Sequence, residues 1–415
     1  MTEPGTLIRD VRVFDGRAVV AADSVRVAGG LITEVGEGLR PAPDEQVVEG
    51  AGATLLPGLI DAHTHVFPGS PEQALLFGVT TELDMFADPA VARDLRGAAS
   101  YRDDMADLRS AGTGATAPGG HPSHLVDQGI YPPFPTLAPG GDADGFVAAR
   151  VAEGSDHLKI VVDDGAVFGY PRPTLDRATV AALVTAAHRR GLLTVAHPGG
   201  LADVELLVEA GVDGLAHVPA DRPVGPGLAA RIAGRDMFVV PTLGVGDAAC
   251  GCGAGPQLAV RPDLAPYLDR MSTIMLTVLD GNFPLGPGAR TDPSASRASV
   301  TALLGCGVTI LAGTDAGTLG VAHGASLHHE LALLVEAGMT PVQALTAATA
   351  APAGVFGLTD RGRVVAGTRA DLLLVDGDPT VDITCTTAIV DVWRSGSRVR
   401  RRPRAAAAPD TGSTP

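Results

Sequence analysis

The sequence predicts an α/β chain, a (β/α)8 TIM barrel carrying a small β-sandwich formed by the N- and C-terminal segments. Three observations predict it. Across residues 57–356, short apolar runs alternate with helical stretches, the pattern of parallel β/α units. In residues 1–56 and 357–400 the runs are strand-like and broken by turn residues, Asp15-Gly16 and Gly29-Gly30 near the start and Asp376-Gly377-Asp378-Pro379 near the end. Histidine, lysine and aspartate also recur at the C-terminal ends of the middle runs, the face on which such barrels carry their chemistry.

Taken in order, the first segment reads as three strands at 7–14, 24–27 and 31–35. Eight middle strands follow at 59–66, 79–85, 107–115, 157–162, 192–197, 214–218, 237–242 and 308–315, with helices expected at 90–96, 143–152, 175–190, 201–210, 227–233, 327–337 and 341–351. A long excursion, 244–292, interrupts the series after the seventh strand and contains one helical piece at 264–279; long loops on that face usually wall the pocket. Closing strands are expected at 369–375 and 389–393. The stretch 401–415, basic and then rich in Ala, Pro and Ser/Thr, reads as a disordered tail.

Composition narrows the function. With 415 residues, 45% hydrophobic, the chain can bury a large core. A net charge of −16 argues against nucleic acid and anionic membrane surfaces, which require a concentrated positive face. No apolar segment approaches a bilayer span and none follows a basic start, so neither a membrane anchor nor a signal peptide is expected, and the expected location is cytoplasmic. The cysteines, at 250, 252, 306 and 385, are too few and scattered for a disulfide framework, and Cys250-Gly-Cys252 reads as a loop. The partner expected is a small-molecule substrate, and a homo-oligomer is compatible with the sequence. Of 31 basic residues only Lys159 is lysine, which suggests a task that arginine cannot perform.

The stretch Leu56-Pro-Gly-Leu-Ile-Asp-Ala-His63-Thr-His65-Val66 carries the first chemistry. A strand repeats every two residues, so His63 and His65 face one side, and two imidazoles at a strand mouth make half of a divalent-metal site. Lys159 lies in the fourth strand, while His197, His217 and Asp315 close the fifth, sixth and eighth. A lone strand-end histidine is usually a hydrogen-bonded structural residue. Six candidate ligands on five strands of one barrel converge instead on one mouth. His121 and His124, in Gly119-Gly-His-Pro-Ser-His124, are candidates to contact the scissile carbonyl or the substrate, Tyr170 to bind a substrate carboxylate, and His323 to line the pocket.

These residues, with Gly313-Thr-Asp315 and the closing run 362–373, resemble the amidohydrolase superfamily, specifically its binuclear-metal members with a bridging lysine. Within it the chain looks most like the imidazolonepropionase-related group that includes metal-dependent prolidases. The resemblance implies an enzyme that hydrolyses a C–N bond, amide or peptide-like, with two divalent ions, most simply zinc. It implies that His63, His65 and Asp315 bind one ion, that His197 and His217 bind the other, and that Lys159, carboxylated by carbon dioxide to a carbamate, bridges them. It implies that Asp315 relays the proton of the attacking water to the departing nitrogen, with His121 assisting at the carbonyl. Asp163-Asp164 depart from the small, glycine-rich sequence expected after the lysine. The same ligands would also serve a cyclic amide, a carbamate or urea, or a phosphotriester, and the reading from another class is a non-catalytic, metal-containing binding protein.

Overall fold

The structure, a computed structural model, describes residues 5–403. The first segment forms β1 (Thr6–Arg9), β2 (Arg12–Phe14), β3 (Val19–Val20), β4 (Ser24–Ala28), β5 (Leu31–Gly36), β6 (Gln46–Glu49) and β7 (Thr54–Pro57). The single strand expected at 7–14 is two: Asp10 adopts a left-handed backbone, φ 55°, and the chain turns there. β1 enters one sheet and β2 another.

The middle of the chain supplies β8 (Leu59–Thr64), β9 (Val79–Asp84), β10 (Asp107–Ser110), β11 (Leu158–Val162), β12 (Thr194–Pro198), β13 (Gly214–Ala216), β14 (Phe238–Val240) and β15 (Thr309–Ile310), one for each expected run. They form two parallel sheets, β10-β9-β8 and β11-β12-β13-β14-β15. Single parallel bridges run between these sheets at both margins, Thr64 with Ala316 and Ala115 with Ile160. Along the first margin the backbone also bonds from Ala62 N to Ala312 O, 2.9 Å, and from Asp315 N to His63 O, 2.7 Å. The fold is therefore mixed α/β. Outward residues Leu59, Ile160 and Ile310 join helix residues Val180, Leu207 and Leu331 in the largest apolar core. Ile60, Leu83, Val195, Phe238 and Leu311 form a separate cluster with Ala353 and Leu358. Its strand residues lie a few positions ahead of the polar side chains that end their strands, so an apolar layer backs the polar mouth.

The last strands are β16 (Leu372–Val375), β17 (Ile389–Arg394) and β18 (Ser397–Arg398). One terminal sheet runs β18-β17-β16-β7-β2-β3 and the other β5-β4-β1-β6. Ile8, Val25 and Ile32 from one sheet and Val13, Leu55, Leu372 and Trp393 from the other share one core. β7 and β8 are separated only by Gly58, where a Cβ would lie 2.3 Å from Thr80 Oγ1, so nothing larger fits that crossing. The helical piece of the excursion is Arg270–Thr277, preceded by a 3₁₀ turn at Ala265–Tyr267. Of the tail expected at 401–415, residues 404–415 lie outside the described residues. Arg401 is docked: its Nε donates to Leu76 O at 2.6 Å and its guanidinium lies 4.3 Å from the centre of the Tyr267 ring.

Candidate metal centre

The strand ends bring five imidazoles into a row. Ring centres are 5.4 Å apart for His65 and His63, 4.8 Å for His63 and His217, 4.4 Å for His217 and His197, and 5.1 Å for His197 and His121. His63 lies in β8 and His65 one residue past its end, two positions apart, so both reach this row. Lys159 is buried on β11, and Asp315 lies beyond the end of β15.

The polar atoms here are arranged acceptor against acceptor. His65 Nδ1 donates to Phe86 O at 3.1 Å, which leaves a lone pair on Nε2. That Nε2 is 2.9 Å from Asp315 Oδ1, and His63 Nε2 is 3.1 Å from the same oxygen. The Thr242 hydroxyl spends its proton on Pro241 O, so it accepts from His217 Nδ1 at 2.6 Å and leaves His217 Nε2 free. Asp315 Oδ1, His217 Nε2, both His63 nitrogens and Lys159 Nζ are buried without a hydrogen-bond partner. One ligand atom from each of His63, His217 and Asp315 lies within 4.8 Å of the others. Unpaired polar atoms converge in a buried space, and imidazole with carboxylate is a donor set suited to a divalent metal. The residues present fit such an ion.

Electrostatics agree. Burial, then the nearby Lys159, pushes His63 down to about 3, so the imidazole is neutral and able to ligate. Burial and then His197 hold His217 well below its ordinary value. Burial would raise Asp315, but His63 and His65 outweigh it and keep the carboxyl ionised. Lys159 is pushed down by burial to about 7, partly opposed by Asp315 and Asp84, so a neutral amine is accessible at this one position.

Residues that the sequence did not single out hold this arrangement. The Asp61 carboxylate accepts from His63 N at 3.2 Å, Thr314 N at 3.0 Å and Thr314 Oγ1 at 2.7 Å, fastening β8 to the segment that ends in Asp315. Glu330 accepts from Leu243 N and Gly244 N, both at 2.9 Å, and so holds the turn carrying Thr242. His217, Thr242 and Asp315 adopt left-handed backbones, φ 89°, 51° and 64°, a conformation that is strained for side-chain-bearing residues and typical of functional sites. The one sequence signal for Asp61 was its place two residues before His63.

The remaining candidates divide. His124 stands 5.5 Å from His121, ring to ring, and extends the row toward a cleft of about 400 Å3 lined also by Gly119, Phe134 and Arg172. Tyr170 is 40% exposed in the loop after β11. His323, a candidate pocket residue by sequence, is buried with Nδ1 2.6 Å from Glu82 Oε1, while its Nε2 has no hydrogen-bond partner. Asp163, just past β11, is buried with Oδ2 3.8 Å from His197 Nε2. Cys250 and Cys252 are free thiols at the end of the helix Leu243–Ala249, as expected of a loop pair.

Residues 259–400 match the family model described as Amidohydrolase family. The chain is 35% identical over 156 residues to an imidazolonepropionase of Streptomyces griseus, a match covering 35% of this chain and 40% of that protein. It is 25% identical over 388 residues to an imidazolonepropionase of Salinispora arenicola, covering 90% of each. Among solved structures it resembles a putative prolidase from Bifidobacterium longum with a TM-score of 0.76, at 21% identity, over 98% of this chain and 97% of that one, a likeness of fold. None of its helices is long and apolar enough to cross a membrane among the described residues. A family match over the C-terminal third, a relative aligned along nearly the whole length and a shared fold agree with the cluster of histidines and aspartate, and together they support membership of the amidohydrolase superfamily.

Proposed function

We propose that the protein is a metal-dependent hydrolase that cleaves a C–N bond, amide or peptide-like, in a small molecule. The observation that carries this reading is the meeting of His63 Nε2 and His65 Nε2 at Asp315 Oδ1, a buried cluster of ligand atoms that a divalent cation would satisfy. We infer that the two central sheets act as one (β/α)8 barrel spanning 57–356, with the bridges at Thr64 and Ala115 as its seams and a sandwich of 1–56 and 357–400 attached. The mouth of that barrel is the active site.

In this reading His63, His65 and Asp315 would hold one ion and His197 and His217 a second. Lys159, whose amine burial pushes down to about 7, would be carboxylated by carbon dioxide with loss of a proton and would supply the carbamate as a further ligand. Two divalent ions, zinc being the one best suited to imidazole and carboxylate, would supply Lewis acidity for the scissile carbonyl and for an attacking water. Asp315 accepts the proton of that water and returns it to the departing nitrogen, so the amide and water leave as acid and amine. His121, next to His197 in the imidazole row, donates a hydrogen bond to the carbonyl oxygen, and His124 contacts the substrate where the row meets the cleft. Burial, then His197, holds His121 down at about 3, so its neutral tautomer is the donor. The second reading, opening of a cyclic C–N bond, is favoured by the imidazolonepropionase relatives.

The test is the ion content of the folded protein prepared with bicarbonate, together with the mass of Lys159 and that of a Lys159→Arg variant. About two ions per chain and one added carbon dioxide, both lost in the variant with at least ~10³-fold lower kcat/KM on an amide substrate, are expected. One ion with an unmodified lysine would point to a mononuclear hydrolase or deaminase, and no ion to a binding protein.

A further inference from the structure

We propose that Asp163 is a ligand of the second ion, alongside His197 and His217. The inference rests on the two-ion reading above and deepens it.

Asp163 follows β11, and the two-residue strand period places it on the same face as Lys159. It is 5% exposed, and among the described residues no arginine pairs with it. Its two oxygens are used differently. Oδ1 accepts the backbone N–H of Gly165 at 2.8 Å, which fixes the carboxylate plane. Oδ2 lies 3.8 Å from His197 Nε2, too long for a hydrogen bond. It is the right separation for two donors of one ion, since ligands about 2.0–2.2 Å from a metal stand roughly 3–4 Å apart.

The neighbouring turn is shaped around this carboxylate. A Cβ on Gly199 would lie 2.1 Å from Asp163 Oδ1, so only glycine leaves the space. The Asp203 carboxylate accepts from Gly199 N at 3.1 Å and Gly200 N at 2.8 Å, and so holds that turn. A loop-stabilising role would need Oδ1 alone. Oδ2, turned toward His197 in a region of low solvent access, calls for a positive partner.

Asp163→Asn retains an oxygen for Gly165 and removes the charge. Ion content, chelator-competition affinities and X-ray absorption at the metal edge are to be compared in folded wild-type and variant protein. The expected result is two ions in the wild type. In the variant the first ion binds as before, the second binds about 10–100-fold more weakly, and fewer oxygen or nitrogen neighbours are averaged over the ions. Unchanged affinity, or weaker binding with an unchanged neighbour number, overturns the proposal, the latter because Asp163 would then only orient His197. Asp163→Glu, which keeps the carboxylate, is expected to retain both ions; if it loses the second as Asn does, packing rather than ligation explains the loss and the proposal falls. A wild-type chain that binds one ion or none removes the second site and overturns the underlying reading with it, whereas the other negative results leave that reading intact.

Discussion

Asp61 and Glu330 each close one flank of the centre by accepting backbone N–H groups, yet they reach it by different routes. Asp61 belongs to the same strand as His63 and fastens it directly to Thr314, next to Asp315. Glu330 comes from the helix Ala325–Glu336 and holds Leu243 and Gly244; these fix Thr242, and only then does Thr242 orient His217. One flank has clip and ligand in a single element. The other transmits position through a turn and a hydroxyl. Burial pushes the two carboxyls up, to about 7 and about 8, so both sites accept a cost in charge for the sake of geometry. The difference teaches that the His63 flank is held within its own strand, whereas the His217 flank depends on a relay of contacts from a separate helix.

The sharpest way to break this comparison is Asp61→Ala, which leaves the His63 N–H and the Thr314 hydroxyl without their acceptor in the interior. Destabilisation of about 3 kcal/mol or more is expected, read as a lower urea midpoint, together with loss of bound ion from the His63 flank. Next in size, Thr242→Val removes the acceptor of His217 Nδ1 and is expected to weaken one ion by about 10–100-fold while sparing the other, as measured by chelator competition. Equal weakening of both ions would show that the flanks are one unit. The smallest effect concerns pH. Glu330 titrates at about 8 in the native chain against roughly 4.3 when unfolded, so between those values the folded state keeps a proton that the unfolded state has lost. Its contribution is therefore full below about 4.3 and declines as pH rises toward 8, by at most about 1.4 kcal/mol per pH unit. Glu330→Gln is expected to remove that decline in urea unfolding series across the window, without changing ion content at the His63 flank.

Much of the histidine and aspartate cluster was legible because these residues lie at or just past the ends of strands. The alternation in β8 put His63 and His65 on one side, and the apolar runs leading to His197, His217 and Asp315 marked where each strand stops. Lys159 stood out by composition alone. Glu330 and Thr242 were illegible for a physical reason: their partners lie far away in sequence, and a buried glutamate in an amphipathic helix looks like any solvated one. The break at Asp10 was hidden because residues 7–14 keep a continuous apolar pattern although their halves serve different sheets. The pairing of His323 with Glu82 was illegible because nearness to Asp315 in sequence says nothing of a residue so far away in the chain.

β7 pairs with β16 and β2 and passes, across Gly58 alone, into the strand that bears His63. For a polypeptide emerging from the ribosome this sets an order of events. β7 is made well before its antiparallel neighbour β16. Until Leu372–Val375 has been synthesised, β7 has one edge unsatisfied, and the root of the histidine strand is held from one side only. Assembly of the terminal sheet is consequently a late, long-range closure. A nascent chain arrested before β16 would carry the histidines without the frame that anchors them.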